Sequence, residues 1–243
     1  MPGTPGPLVI IGGHEDREGD RTILRAVASH AAGGPLLLLS AASASPEKYL
    51  GVYEAAFADL GVTLVPISAT EPDSTFQGAG GVFISGGDQK RFMEDVPAEV
   101  RESIRALRSR GGVVAGTSAG ASVLSEVMLA AGPGRESPDL GDVDLREGLG
   151  LLRAAVIDQH FAERGRIGRL VAAVAQRPDV VGIGIDEDTA VIVDGERIEV
   201  VGAGSVYLLD VPRAARDAAP RAAEFRLRVL AAGESARLGG PRH

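Results

Sequence analysis

Residues 111–121, Gly-Gly-Val-Val-Ala-Gly-Thr-Ser-Ala-Gly-Ala, constrain this chain more than any other stretch. The apolar run 113–115 predicts a buried strand, the pattern from 119 to about 129 predicts a helix, and Ser118 falls at the turn between them. A strand that becomes a helix within so few residues must turn sharply, and Gly116 and Gly120 remove the side chains that would obstruct the turn. The hydroxyl of Ser118 is then lifted clear of the sheet, beside an N–H at a helix start. A glycine-rich turn also serves plain close packing or cradles a phosphate, so its use must be decided by partners elsewhere in the chain.

The surrounding pattern repeats the same alternation. Buried strands are predicted at 8–11 and 35–40 and further strands at 62–66 and 81–85, with helices near 20–31, 45–61 and 97–110 between them. These strands are apolar throughout rather than at every second position, as expected for a parallel sheet covered on both faces. Residues 131–148 read as a loop, 151–157 as a strand, 163–176 as a helix and 180–186 as a strand. Residues 190–193 and 197–201 flank Asp194-Gly195 and predict a hairpin with a type I′ turn. Further strands at 205–209 and 225–230 close one edge, 213–221 reads as a surface excursion, and 234–243 as a frayed tail. The fold class is therefore α/β: a doubly wound, mostly parallel sheet with helices on both faces and a C-terminal antiparallel hairpin edge, in a single domain over 1–243.

The net charge of −8 argues against a nucleic-acid surface. With no cysteine, disulfides, thiolate metal sites and a cysteine nucleophile are excluded, which fits a cytoplasmic protein. No signal peptide and no membrane span are read from the sequence. No cofactor is expected.

A serine nucleophile needs a base. Of four histidines, His243 is terminal, His30 ends the first helix, and His14 follows the first strand. His160 ends an apolar run inside a polar cluster, Asp158-Gln159-His160-Phe161, with Arg164, Arg166 and Arg169 close behind, and is the best candidate. Cations at a helix amino end oppose its dipole, so the three arginines are expected to face an anion such as a substrate carboxylate. Gly86-Gly87-Asp88-Gln89 ends a neighbouring strand with backbone N–H groups free to approach an oxyanion, although Gly-Gly-Asp is also ordinary turn chemistry. The run Asp186-Glu187-Asp188 invites a metal, but three successive acids cannot all face one ion, and a structural turn with Asp186 bonded to the site is favoured.

Together, Gly-Gly-Asp-Gln at 86–89, Gly-Thr-Ser-Ala-Gly-Ala at 116–121, Asp-Gln-His-Phe with Arg-Gly-Arg at 158–166, Gly-Ile-Asp-Glu-Asp-Thr-Ala at 184–190 and the opening Ile-Gly-Gly-His-Glu-Asp-Arg at 11–17 resemble the cyanophycinase group of the S51 serine peptidases. The resemblance spans nearly the whole chain and implies a fold related to class I glutamine amidotransferase domains. It implies Ser118 as nucleophile, His160 as base and Glu136 as the acid, with Asp139 and Asp142 as rivals for that last role. It also implies oxyanion donors at Gly87 and Ala119, and a substrate pocket of Gln89, Asp158, Gln159, Arg164, Arg166 and Arg169, with no metal. His14 stands where relatives often carry a small residue.

The activity implied is a serine exopeptidase that releases β-Asp-Arg dipeptides from cyanophycin through an acyl-enzyme, and a homodimer is implied as well. Three alternatives stand beside it. An aspartyl or isoaspartyl dipeptidase of the same family would be expected to carry fewer arginines. An α/β-hydrolase esterase would need its histidine near the C-terminus. A catalytically silent peptide-binding module would leave Ser118 unreactive.

Overall fold

Strand β1 (Leu8–Ile11) is buried at all four positions, with Leu8 and Ile10 on one face of a sheet and Val9 and Ile11 on the other. A strand apolar on both faces must lie inside a covered sheet. The computed structural model describes residues 4–31, 33–133, 143–212 and 224–238. The first half of the chain supplies helix α1 (Thr22–His30), β2 (Leu36–Leu39), α2 (Pro46–Phe57), β3 (Leu64–Ile67), the single turn α3 (Asp73–Phe76), β4 (Gly81–Ile84), α4 (Gln89–Asp95), α5 (Ala98–Ser109) and β5 (Val113–Thr117). Strands β1, β5, β4, β2 and β3 pair in that order, all parallel. On the other side of β1 the sheet continues antiparallel through β10 (Thr189–Asp194), β11 (Arg197–Gly202) and β14 (Ser235–Arg237). This is the expected α/β sheet with its antiparallel hairpin edge.

The structure adds a second sheet. After Ser118, helix α6 (Ala119–Ser122) lasts one turn and the chain enters β6 (Ser125–Ala131), where a helix to about 129 was expected. The Ser125 hydroxyl donates to the carbonyls of Ser122 and Val127, closing the helix. Val127, Met128 and Leu129 are then buried by strand pairing, a tertiary gain that overrides the local helical pattern. The expected loop over 131–148 contains β7 (Asp144–Glu147) among its described residues. With β8 (Leu152–Gln159), β9 (Val181–Ile185), β12 (Ser205–Asp210) and β13 (Arg226–Ala231), these strands form a six-stranded sheet in the order β13-β12-β9-β8-β6-β7. In the tail, Ser235–Arg237 pairs with β11 rather than fraying, and 239–243 lie outside the described residues, as does 213–223.

The layers follow from the side chains. One face of the first sheet packs on α1 and α2 through Val9, Leu36, Phe83, Ile23, Val27 and Phe57. Its other face packs on α5 and on the second sheet, where Leu8, Ile84 and Ile104 join Met128, Ile157 and Ile183 in one core. The outer face of the second sheet is covered by α7 (Ile167–Gln176) through Leu170, Ala173 and Val174.

Two crossings between the sheets matter for function. The chain leaves the first sheet between β5 and β6, and returns to it between β9 and β10. Ser118 lies on the first crossing and Glu187 on the second.

Candidate active site

Register brings the pieces together. Thr117 pairs with Ile11 across β1 and β5, and Ile84 pairs with Gly116 across β4 and β5, so Gly12-Gly13, Gly86-Gly87 and Ser118 meet at the carboxyl ends of adjacent strands. Gln159 pairs with Ile185, which sets His160 beside Asp186 at the end of the second sheet. The His160 N–H then donates to the Gly12 carbonyl at 2.8 Å, tying one sheet to the other.

Ser118 has φ 54 and ψ −117, a backbone conformation that non-glycine residues rarely hold. The neighbours make it feasible. A Cβ on Gly116 would lie 2.2 Å from the Gly120 carbonyl oxygen, and one on Gly120 would lie 2.2 Å from that of Ile84. A side chain at Gly13, which has φ +102, would meet the His160 ring at 2.4 Å.

The nucleophile–base pair expected from the sequence is in contact: His160 Nε2 lies 2.9 Å from Ser118 Oγ. The third position differs from expectation. His160 Nδ1 lies 2.6 Å from Glu187 Oε1, and the single hydrogen-bonding site of that nitrogen is thereby filled. Glu136, expected there, and its rivals Asp139 and Asp142 lie outside the described residues. Burial works to raise the Glu187 carboxyl, but hydrogen bonds from His160 and His14 outweigh it and hold the group below its ordinary value. Glu187 is therefore an ionised acceptor, which places the proton of neutral His160 on Nδ1 and leaves the Nε2 lone pair facing Ser118. Burial pushes the His160 pKa below its ordinary value, with Arg164 and His14 adding to the fall and Glu187 opposing it. A base so tuned stays unprotonated at neutral pH.

These groups open into a pocket of about 330 Å³ lined also by Gln89, Gln159, Arg164, Arg166 and Arg169. A wider hollow of about 570 Å³, walled by Arg105, Arg108 and Arg153, includes none of the nucleophile–base residues. The anion expected before the arginines is in part internal. Asp158 is buried, ion-paired to Arg166 at 3.2 Å and to Arg169 through two hydrogen bonds, one of them 2.6 Å. It stands behind the pocket wall and is not among the lining residues, a correction to its expected place in the pocket. The reason is electrostatic: α7 begins at Ile167, later than expected, with Arg166 as its N-cap and Arg169 in its first turn, and the buried carboxylate offsets both cations. Burial lowers Arg166 to about 10, partly countered by Asp158. Two guanidiniums against one carboxylate leave one net positive charge, and exposed Arg164 adds a second. Gln89 donates to the carbonyls of Leu129 and Ala130, which fixes its amide at the pocket edge. Asp88 is the N-cap of α4, accepting from the backbone N–H groups of Lys90 and Arg91. The N–H groups of Gly87 and Ala119 have no acceptor among the described residues.

Two features escaped the sequence reading. The sequence groups Glu187 with Asp186 and Asp188 in a structural turn; Asp186 does hold that turn, accepting from the N–H groups of Ala162 and Ser205. Glu15 is the second. Buried beside the nucleophile strand, it accepts from Thr117 Oγ1 at 2.6 Å, Tyr53 Oη at 2.5 Å and Arg17 Nη2 at 2.9 Å. It anchors the residue preceding Ser118, and its Arg17 and Tyr53 partners line the pocket. A buried carboxylate with three donor residues is marked in sequence only by an acid four residues past a strand end.

Residues 8–201 match the profile of peptidase family S51. The chain is 38% identical over 224 residues to the cyanophycinase of Nostoc sp. (strain PCC 7120 / SAG 25.82 / UTEX 2576), covering 85% of this chain and 74% of that protein. It is 35% identical over 225 residues to the cyanophycinase of Synechococcus elongatus, covering 86% and 69%. In fold it resembles a crystal structure of a peptidase from an acI-B1 Actinobacterium, with a TM-score of 0.73 at 21% identity over 96% of this chain and 97% of that one. A hydroxyl, an imidazole and a carboxylate in line at the carboxyl ends of two sheets, and a match over most of its length, make the chain a member of peptidase family S51.

Proposed function

We propose that this peptidase hydrolyses cyanophycin, releasing β-Asp-Arg dipeptides through an acyl-enzyme on Ser118. The observation that carries the reading is the hydrogen-bonded chain Ser118–His160–Glu187, at 2.9 and 2.6 Å, opening into a pocket of net positive charge. His160 Nε2 takes the proton of Ser118 Oγ as that oxygen attacks the carbonyl carbon, and Glu187 stabilises the imidazolium that forms. The unengaged N–H groups of Gly87 and Ala119 suit the developing oxyanion. The imidazolium then protonates the leaving amine, and water admitted to the site releases the acyl group by the same steps in reverse order.

The arginines fit the substrate. Each aspartyl residue of the polymer carries on its side-chain amide an arginine whose α-carboxylate is free, and Arg164, supported by Arg166 and Arg169, offers guanidinium donors for that carboxylate in the pocket of Ser118. Gln89 and Gln159 supply amide groups for the polymer backbone. The net charge of −8 supports a partner that is a peptide rather than a nucleic acid. No helix of the described residues is long and apolar enough to cross a membrane, and a cytoplasmic site remains our proposal. The proposed homodimer is supported by the edge strand β13, where Leu227 and Val229 are about half exposed.

The test is direct. Purified protein is incubated with insoluble cyanophycin and, separately, with β-Asp-Arg. Soluble dipeptide is expected to appear from the polymer, free β-Asp-Arg to stay intact, and Ser118→Ala to release none. Undiminished release by Ser118→Ala, or cleavage of the free dipeptide in preference to the polymer, overturns the reading.

A further inference from the structure

The carboxylate of Glu187 is shared. Its Oε1 lies 2.6 Å from His160 Nδ1, and its Oε2 lies 2.8 Å from Nδ1 of His14, a residue the proposed reaction does not use. The two rings meet edge to face with centroids 5.2 Å apart. One donor atom from each of His14, His160 and Glu187 lies within 4.8 Å of the other two. We propose that these three residues form a site for a divalent transition-metal ion of the zinc type, and that its occupation switches the nucleophile off.

Two imidazoles and a carboxylate are a donor set that zinc accepts, with bonds of about 2.0–2.2 Å and edges between donors of roughly 3.3 Å. Reaching that figure means opening the 2.6 and 2.8 Å contacts of Glu187 to make room for the ion, a change that His14, whose side chain is 68% exposed, can follow by turning on the surface. The same exposure admits the ion from solvent, while His160, only 5% exposed, forms the inner wall. Glu187 supplies the negative charge in direct contact. Arg164 opposes a cation, but it is solvent-exposed, where its repulsion is screened.

The consequence for the nucleophile follows from proton placement. In the free site the proton of His160 sits on Nδ1 and points at Glu187. A metal taking the Nδ1 lone pair leaves the ring's one proton on Nε2, the nitrogen 2.9 Å from Ser118 Oγ. The ring then offers a donor where Ser118 needs an acceptor. No atom is lost and no redox step is involved, so removal of the ion restores the base.

The metal site stands on geometry alone; only the switching rests on the proposed peptidase reading, and the experiment keeps them apart. Zn²⁺ is titrated calorimetrically into the full chain, and Co²⁺ is titrated to follow the visible absorption of a tetrahedral site. Wild type, His14→Asn and Ser118→Ala are compared, asparagine being chosen because it tolerates the left-handed backbone of His14 (φ 49). One equivalent bound by wild type and by Ser118→Ala, with affinity lower by about 10-fold or more in His14→Asn, is expected. In parallel, the rate of Ser118 labelling by a fluorophosphonate is measured with and without Zn²⁺. That ratio should be large in wild type, return to one on adding EDTA, and shrink in His14→Asn. Equal affinity in His14→Asn and wild type, or no binding by wild type below ~1 mM, overturns the site. Binding that depends on His14 but leaves labelling unchanged overturns the switch. A failure of metal-free wild type to degrade cyanophycin overturns the peptidase reading and leaves the titration result standing.

Discussion

Glu187 is the residue on which sequence and structure part most sharply. Ser118 and His160 were legible because each carries its own local signature, a glycine-flanked turn and a polar cluster at a strand end. An acid that serves His160 carries none. It sits 27 positions away on a different crossing, and only the pairing of Gln159 with Ile185 makes it the neighbour. Sequence order places three acids side by side, and nothing in that order selects the middle one. Glu187→Gln should therefore lower kcat by about 10³–10⁴-fold with little change in KM, because the amide favours the wrong tautomer of His160. Glu136→Gln should keep near-normal turnover; a comparable loss there would return the role to Glu136. The direction of the His160 shift gives a second test. Since burial lowers its pKa from 6.5, the acid limb of kcat/KM should have its midpoint below 6.5, and a midpoint above that value contradicts a buried neutral base. Loss of the Glu187 hydrogen bond, which works to raise that pKa, should carry the limb lower still in Glu187→Gln.

Among the elements, the parallel strands β1, β2 and β4 were legible because residues buried on two faces leave no polar alternation to confuse them, whereas β3, at the sheet edge, is only half-buried. Strand β6 was misread for the complementary reason. A stretch such as Val-Met-Leu-Ala suits either a helix or a strand, and its partners on β8 lie 27 to 29 residues further on, where no local pattern reports them. The arginine-bearing start of α7 stands out in the sequence for its unfavourable dipole, yet the anion answering it is a buried residue of the adjoining strand. Asp158→Asn leaves two enclosed guanidiniums uncompensated and should cost about 3–5 kcal/mol of stability, read from the urea midpoint. Unchanged stability would mean that these arginines are held by solvent or substrate instead. At the strand ends, Gly13→Ala introduces a Cβ 2.4 Å from the His160 ring at a backbone angle alanine avoids. Because displacements near 1 Å cost about 10²-fold in rate, Ser118 labelling should fall by that order. The far-UV circular dichroism should stay native, since the strands themselves are untouched.

On the scale of the molecule, a single sheet was expected and two were found, packed through one continuous core that joins Ile84 to Ile157 and Ile183. The serine belongs to the passage out of the first sheet, the glutamate to the passage back, and the histidine to the second sheet, fastened to Gly12 of the first. The proton relay is thus strung across a seam, and it reports the alignment of the two halves more sensitively than any spectroscopic average. On slow heating, reactivity at the hydroxyl should vanish several degrees before secondary structure melts, since a slip too small to unpair a strand already separates donor from acceptor. Coincident loss of both signals would mean that the halves part only when each unravels.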